Sequence, residues 1–132
     1  MKDVENFLIP RSDDIFDDLM RMLPLTPAVF FVLLSLANGE KHGYAIMQDV
    51  ASLSAETVRM GPGTLYSTIQ RLADLALIQE TEGSREPTDH ESRRRYYRLT
   101  DDGKRLLQAE VDRMESVVRL ARKRELSLKG KG

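Results

Sequence analysis

Proline and glycine cut this chain into short pieces, and that punctuation limits it to a fold of small elements. Pro24 and Pro27 bracket one break, Asn38-Gly39 and Gly43 make a second, and Gly61-Pro62-Gly63 makes a third. A fourth is the polar stretch from Gly83 to Ser92, which holds one proline. Pro offers no backbone donor and stops or kinks a helix, while Gly takes left-handed turns that other residues avoid. Between these breaks only short helices and strands fit.

The pieces carry readable periods. Ile15, Phe16, Leu19, Met20 and Leu23 line one face of an N-terminal helix, with Ser12 as its cap, Asp13 and Asp14 in its first turn and Pro24 as its stop. Thr26-Pro27 opens a second helix, which is apolar from Ala28 to Ala37 apart from Ser35 and should be buried nearly all round. Asn38-Gly39 is its stop, and Glu40 to Gly43 reads as a turn. A third helix is expected over about Tyr44–Ser52, then a connector to Gly61. Gly61-Pro62-Gly63-Thr64 introduces a fourth helix ending near Asp74. Its core stripe is Leu65, Ile69, Leu72 and Ala73, and Ser67, Arg71 and Asp74 lie opposite, flanked by Thr64 and Gln70.

Leu77 to Thr81 and Arg94 to Leu99 read as two strands of a hairpin, the second rich in Tyr and Arg. Thr100 then caps a last helix with Asp101 and Asp102 in its first turn. Leu107, Val111, Met114, Val118 and Ala121 are spaced as an a/d seam, widened by Leu106 and Val117. The fold class is mainly α with a small β-hairpin (α+β). The expected organisation is an amphipathic helical extension over 1–24, a winged helix-turn-helix over 25–100, a dimerisation helix over 101–126 and a flexible tail over 127–132.

Composition narrows the function. With 132 residues the chain can bury a modest core. It has no Cys, which excludes disulfides, thiolate metal sites and a Cys nucleophile. The longest uncharged apolar stretch, Leu23 to Asn38, is too short for a membrane span and is broken by two prolines; no secretory signal is visible, so a cytoplasmic protein is expected. The two histidines, His42 and His90, lack metal-ligand spacing, so no metal and no cofactor are expected. No phosphate-binding loop or catalytic set stands out, and enzyme activity is not expected.

The formal net charge of −1 conceals an uneven distribution. Residues 1–24 and residues 25–82 each carry three positive and six negative charges, whereas residues 83–132 carry fourteen positive and nine negative. The sharpest basic run is Arg93-Arg94-Arg95, at the hairpin. A second cluster, Arg119, Arg122, Lys123 and Arg124, suits the C-terminal end of a helix dipole.

Short helices joined by a connector and followed by a hairpin with a basic strand make a DNA-reading plan. The major groove admits one helix, and polar side chains on its outward face read base edges. Thr64, Ser67, Gln70 and Arg71 supply that face. Arg93, Arg94 and Arg95 on the wing would meet phosphates or the minor groove. Two simpler readings stand beside these: Arg95 can pair with Glu80 or Glu82 across the hairpin, and Ser67, Gln70 and Arg71 can be solvated surface.

Four blocks in order carry a family resemblance. They are His42-Gly43-Tyr44-Ala45-Ile46, Pro62-Gly63-Thr64-Leu65-Tyr66, Leu72 with Leu77-Ile78, and Arg95-Tyr96-Tyr97-Arg98-Leu99-Thr100-Asp101-Asp102-Gly103. From about Leu25 to the last helix the sequence resembles the PadR family of transcriptional regulators. The resemblance implies a homodimeric winged helix that binds double-stranded operator DNA and usually represses transcription. It implies dimerisation through the C-terminal helix, in agreement with the seam, and makes Tyr66 a DNA-backbone contact, although a Tyr at the stripe's edge can also simply pack. A small-molecule effector at the dimer interface would alter the separation of the recognition helices. A winged helix can instead serve as a protein-interaction module, which the acidic first 82 residues would suit. Three departures stand out: Ala76 replaces the family's usual Gly before Leu77-Ile78, residues 1–24 exceed the family's short forms, and the chain has no Trp on which a flat ligand could stack.

Overall fold

The computed structural model describes residues 12–82 and 95–129, with side chains over 16–82 and 95–125. The elements are α1 (Ser12–Met20), α2 (Pro27–Ser35), β1 (Lys41–His42), α3 (Gly43–Leu53), α4 (Pro62–Asp74), β2 (Ile78–Thr81), β3 (Tyr96–Leu99) and α5 (Asp101–Lys129). Two compact units result: Leu25–Leu107, and Met1–Pro24 together with Gln108–Gly132. The cap expected of the Ser12 side chain, the Asp13, Asp14 and Ile15 side chains, the loop over 83–92 and residues 130–132 of the expected tail lie outside the described residues; residues 127–129, expected as tail, continue α5.

In the Leu25–Leu107 unit the helix starts follow from local chemistry. Thr26 caps α2, its hydroxyl accepting from the Val29 N–H at 3.3 Å with Pro27 at the first helical position. Val29, Val32 and Leu33 are buried, but Phe30, Phe31 and Leu34 are only half-buried, so burial is less complete than the apolar run implies. The helix ends at Ser35, earlier than the Asn38-Gly39 stop; turn hydrogen bonds carry the chain from Leu36 to Gly39. Buried Ser35 satisfies its hydroxyl by donating to the Val32 carbonyl at 2.7 Å.

The expected turn at Glu40–Gly43 needs correction. Lys41 and His42 form a strand that pairs antiparallel with Tyr97 and Tyr96. The expected hairpin is therefore a three-stranded sheet in the order β1-β3-β2. Two residues hold no period to read, and their partner lies more than fifty residues away in sequence. Both side chains are fixed. Lys41 Nζ donates to the Ser35 carbonyl and to Asn38 Oδ1, closing the end of α2. His42 Nδ1 accepts from the Ala45 N–H at 3.1 Å, capping α3, and its ring meets Tyr96 edge-on with centroids 5.5 Å apart.

The core of this unit is made of Val32 and Leu33 from α2, Ile46 and Val50 from α3, Leu65, Ile69 and Leu72 from α4, Leu77 and Ile78 entering β2, and Leu106 from α5. Each fully buried Leu or Ile contributes about 1.5–3 kcal/mol relative to exposure. The passage from α4 into β2 is a tight left-handed cap. Ala76 has φ 59°, its N–H donates to the Ala73 carbonyl, and the Leu77 N–H donates to the Leu72 carbonyl, both at 2.9 Å. That is a Schellman motif with alanine where glycine is usual. Thr100 clamps the same turn. Its hydroxyl donates to the Ala76 carbonyl at 2.6 Å and accepts from the Gly103 N–H at 3.1 Å. Gly103 is needed for close approach, because a Cβ there would collide with the Leu77 carbonyl.

In the other unit, Leu19 of α1 is buried, with Phe16 and Met20 half-buried, so the expected stripe faces inward where it is described. Along α5, Glu110 is fully buried and accepts a hydrogen bond from Arg113 Nε. Beyond Glu115 every described side chain is exposed.

Candidate nucleic-acid interface

The α4 helix divides sharply. Leu65, Ile69 and Leu72 are buried, while Thr64, Tyr66, Ser67, Gln70 and Arg71 are exposed. Gly61-Pro62 starts it without a side-chain cap; Pro62 occupies the first turn, where its missing N–H costs nothing. Ser67 and Thr68 both bond back to the Thr64 carbonyl, at 3.1 and 2.8 Å. The Gln70 amide donates to Asp74 Oδ1 at 2.9 Å, so it must release that bond to touch anything else. Arg71 makes no side-chain hydrogen bond or ion pair among the described residues and presents a free planar donor fork.

Tyr66 is half exposed, and its ring lies against Gly43 at the start of α3. Sequence reasoning placed Gly43 in a turn and quoted it within a motif, but gave it no contact with Tyr66. The only signal was a glycine at a helix start whose turn needs no glycine backbone.

On the sheet, Arg95 Nε stands 3.5 Å from Glu80 Oε1, with both side chains largely exposed. This is the cross-hairpin pair that competed with the wing reading; it is exposed enough to contribute little stability. Burial pushes the Tyr97 phenol above its usual pKa, the Glu80 carboxylate adds to the rise, and Arg95 opposes it. Arg93 and Arg94 lie outside the described residues.

The seam residues separate along α5. Leu107 is buried within the chain, Val111 and Met114 are half-buried, and Val118 and Ala121 are exposed. Val111, Met114, Glu115, Val118 and Arg119 border an open, largely apolar cavity of about 350 Å³. Val117 and Leu120 extend the exposed apolar surface. The described residues hold no cluster of three or more His, Asp or Glu suited to a metal ion, and none of their helices is long and apolar enough to cross a membrane.

Residues 32–109 match the model of the transcriptional regulator PadR-like family. The chain belongs to this family. The matched span runs from the second half of α2 into α5 and includes α3, α4 and all three strands of the PadR-like fold. A transcriptional regulator from Clostridium thermocellum is 25% identical with a TM-score of 0.58, covering 87% of this chain and 97% of its own. A PadR family transcription regulator from Clostridium difficile gives a TM-score of 0.62 at 19% identity, over 74% of this chain and 97% of its own. Bacillus subtilis PadR, solved in complex with operator DNA, gives 0.56 at 22% identity, over 67% of this chain and 47% of its own. A 37.1 kDa protein in transposon TN4556 of Streptomyces fradiae is 36% identical over 87 residues, which are 66% of this PadR-like chain and only 23% of that relative's length.

Proposed function

We propose that this PadR-like chain is a sequence-specific transcriptional regulator that binds operator DNA as a homodimer and represses until a small effector releases it. One observation carries the reading: α4 exposes Thr64, Ser67, Gln70 and Arg71 opposite a stripe buried in the core. A helix fixed on one side and polar on the other is what the major groove accepts. Arg71 would read guanine, Gln70 adenine, and Thr64 and Ser67 bases or phosphates. Tyr66 and the wing arginines Arg93, Arg94 and Arg95 would bind the backbone and give salt-dependent affinity. The operator complex of the Bacillus subtilis neighbour, which shares the fold, supports the same docking.

The dimer would form through Val111, Met114, Val118 and Ala121 of α5, with Leu107 as the buried foot of the seam. It would set two α4 helices ~34 Å apart, one turn of DNA. An effector in the open cavity beside Met114 and Val118 would change that spacing and weaken binding.

The test is selection of bound fragments from genomic DNA by the purified chain, followed by gel shifts. Arg71→Ala should change the preferred sequence at one position in each half-site. Arg93→Ala or Arg94→Ala should weaken all sequences and flatten the salt dependence by about one counterion. Failure to retard any selected fragment at low salt refutes the reading.

A further inference from the structure

Gly43 is the first residue of α3, and its backbone is not in the left-handed region. Space, not conformation, makes it glycine. A methyl group there would stand 2.5 Å from the Tyr66 hydroxyl oxygen, 2.8 Å from Cζ and 2.9 Å from Cε1. The phenol end of Tyr66 thus rests on the bare Cα of Gly43. Gly43 is buried while Tyr66 is half exposed, so one edge of the ring is seated and the rest faces solvent.

An exposed tyrosine with nothing beneath it exchanges rotamers, and ordering it on binding costs entropy. Here the seat is built on rigid elements. His42, the preceding residue, is paired to Tyr96 in the sheet, meets its ring edge-on, and caps α3 through Nδ1. Its strand neighbour Lys41 pairs with Tyr97. Tyr97 in turn senses the Tyr66 phenol, which adds to the rise in its pKa after burial and Glu80. Gly43 and Tyr66 therefore bring the β1–α3 junction and α4 together at one point.

We infer that Gly43 is a positioning residue for DNA binding: its missing side chain is the seat that holds the Tyr66 hydroxyl in one place, ready to donate to a backbone phosphate. The inference rests on the proposed function and adds a residue that touches no DNA itself. A longer side chain at this position evicts the phenol without needing to disturb the helix, because Tyr66 is free to swing outward.

The experiment is a double-mutant cycle in the full-length chain, using a DNA fragment recovered by selection with the wild type. Gly43→Ala and Tyr66→Phe should each lower affinity on the order of tenfold, and the double variant should be no weaker than the worse single variant. Tyrosine ring-carbon NMR should show the Tyr66 signals moving in Gly43→Ala while those of Tyr44 stay in place. Unchanged affinity in Gly43→Ala, additive losses in the cycle, or unmoved Tyr66 signals would each overturn the inference. If Gly43→Ala does not fold, Gly43→Ala/Tyr66→Ala must restore folding by removing the colliding ring, and failure to do so overturns the seat. A wild-type chain that retards no DNA overturns the proposed function instead, and the ring signals then judge the seat alone.

Discussion

Replacing Ala76 by glycine should make this protein more stable, although it removes a methyl group. At φ 59° the Cβ of Ala76 crowds its own backbone, at about 1–2 kcal/mol for an L-residue. Glycine escapes that cost but has more freedom to lose on folding, about 0.5–1 kcal/mol. The difference leaves Ala76→Gly ahead by roughly 0.5–1 kcal/mol. The native bonds around it do not depend on the side chain. The Ala76 N–H and carbonyl make their bonds to Ala73 and Thr100 whatever residue carries them. A gain of this size raises the thermal midpoint of a 132-residue chain by about 2–4 °C. It should move the urea midpoint upward without changing the slope, since the surface exposed on unfolding is the same. Ala76→Val serves as the opposite arm, because a β-branched residue is worse still at positive φ, and it should lower both midpoints. An Ala76→Gly midpoint equal to or below wild type would refute the assignment of strain to this turn.

Gly103→Ala should destabilise by about 1–3 kcal/mol despite the better helix propensity of alanine, because the added methyl meets the Leu77 carbonyl rather than a movable side chain; urea unfolding measures it. Val111→Glu/Val118→Glu should convert a particle of twice 15.0 kDa in light scattering into one of 15.0 kDa while leaving helix content unchanged, and a monomeric wild type would refute the seam as a dimer interface. The raised pKa of Tyr97 means that the fold holds the phenol neutral. Its contribution is complete below the ordinary phenol pKa near 10 and is lost as pH rises through the higher folded value, so Tyr97→Phe should flatten part of the alkaline loss of stability seen by thermal unfolding.

One face of α4 is committed to the core, which fixes the helix about its own axis and leaves its polar face outward. The turn at Ala76 then delivers the chain into β2, and Thr100 ties that turn to the start of α5. The exposed polar face of α4, the strands and the first turn of the long helix therefore share one core. Further along α5, Val118 and Leu120 are uncovered, and the proposed dimer would cover Val118.

The sequence by itself determined what is local. Thr26-Pro27 and Thr100 mark helix starts because a cap is a bond between a side chain and a backbone N–H three residues on. Leu65, Ile69 and Leu72 could be placed on one buried face, and Ser67 and Arg71 on the other, because helical period alone assigns faces. Ala76 stood out as the odd residue at a glycine position through the family resemblance, not through any period. What only the tertiary structure decided depends on partners distant in sequence. Lys41 and His42 became a strand because β3 supplied an edge, and no two-residue segment announces that. Arg95 pairs with Glu80, which lies diagonal to it in the β2–β3 register, a choice between two acids that no strand pattern makes. Leu107, a seam position by period, went into the chain's own core, since spacing says that a face is apolar but not what covers it. Gly43 acquired its meaning only when α4 brought Tyr66 over it. Local patterns fix backbone elements and their faces; which side chains meet is set by packing, through contacts that no window along the chain contains.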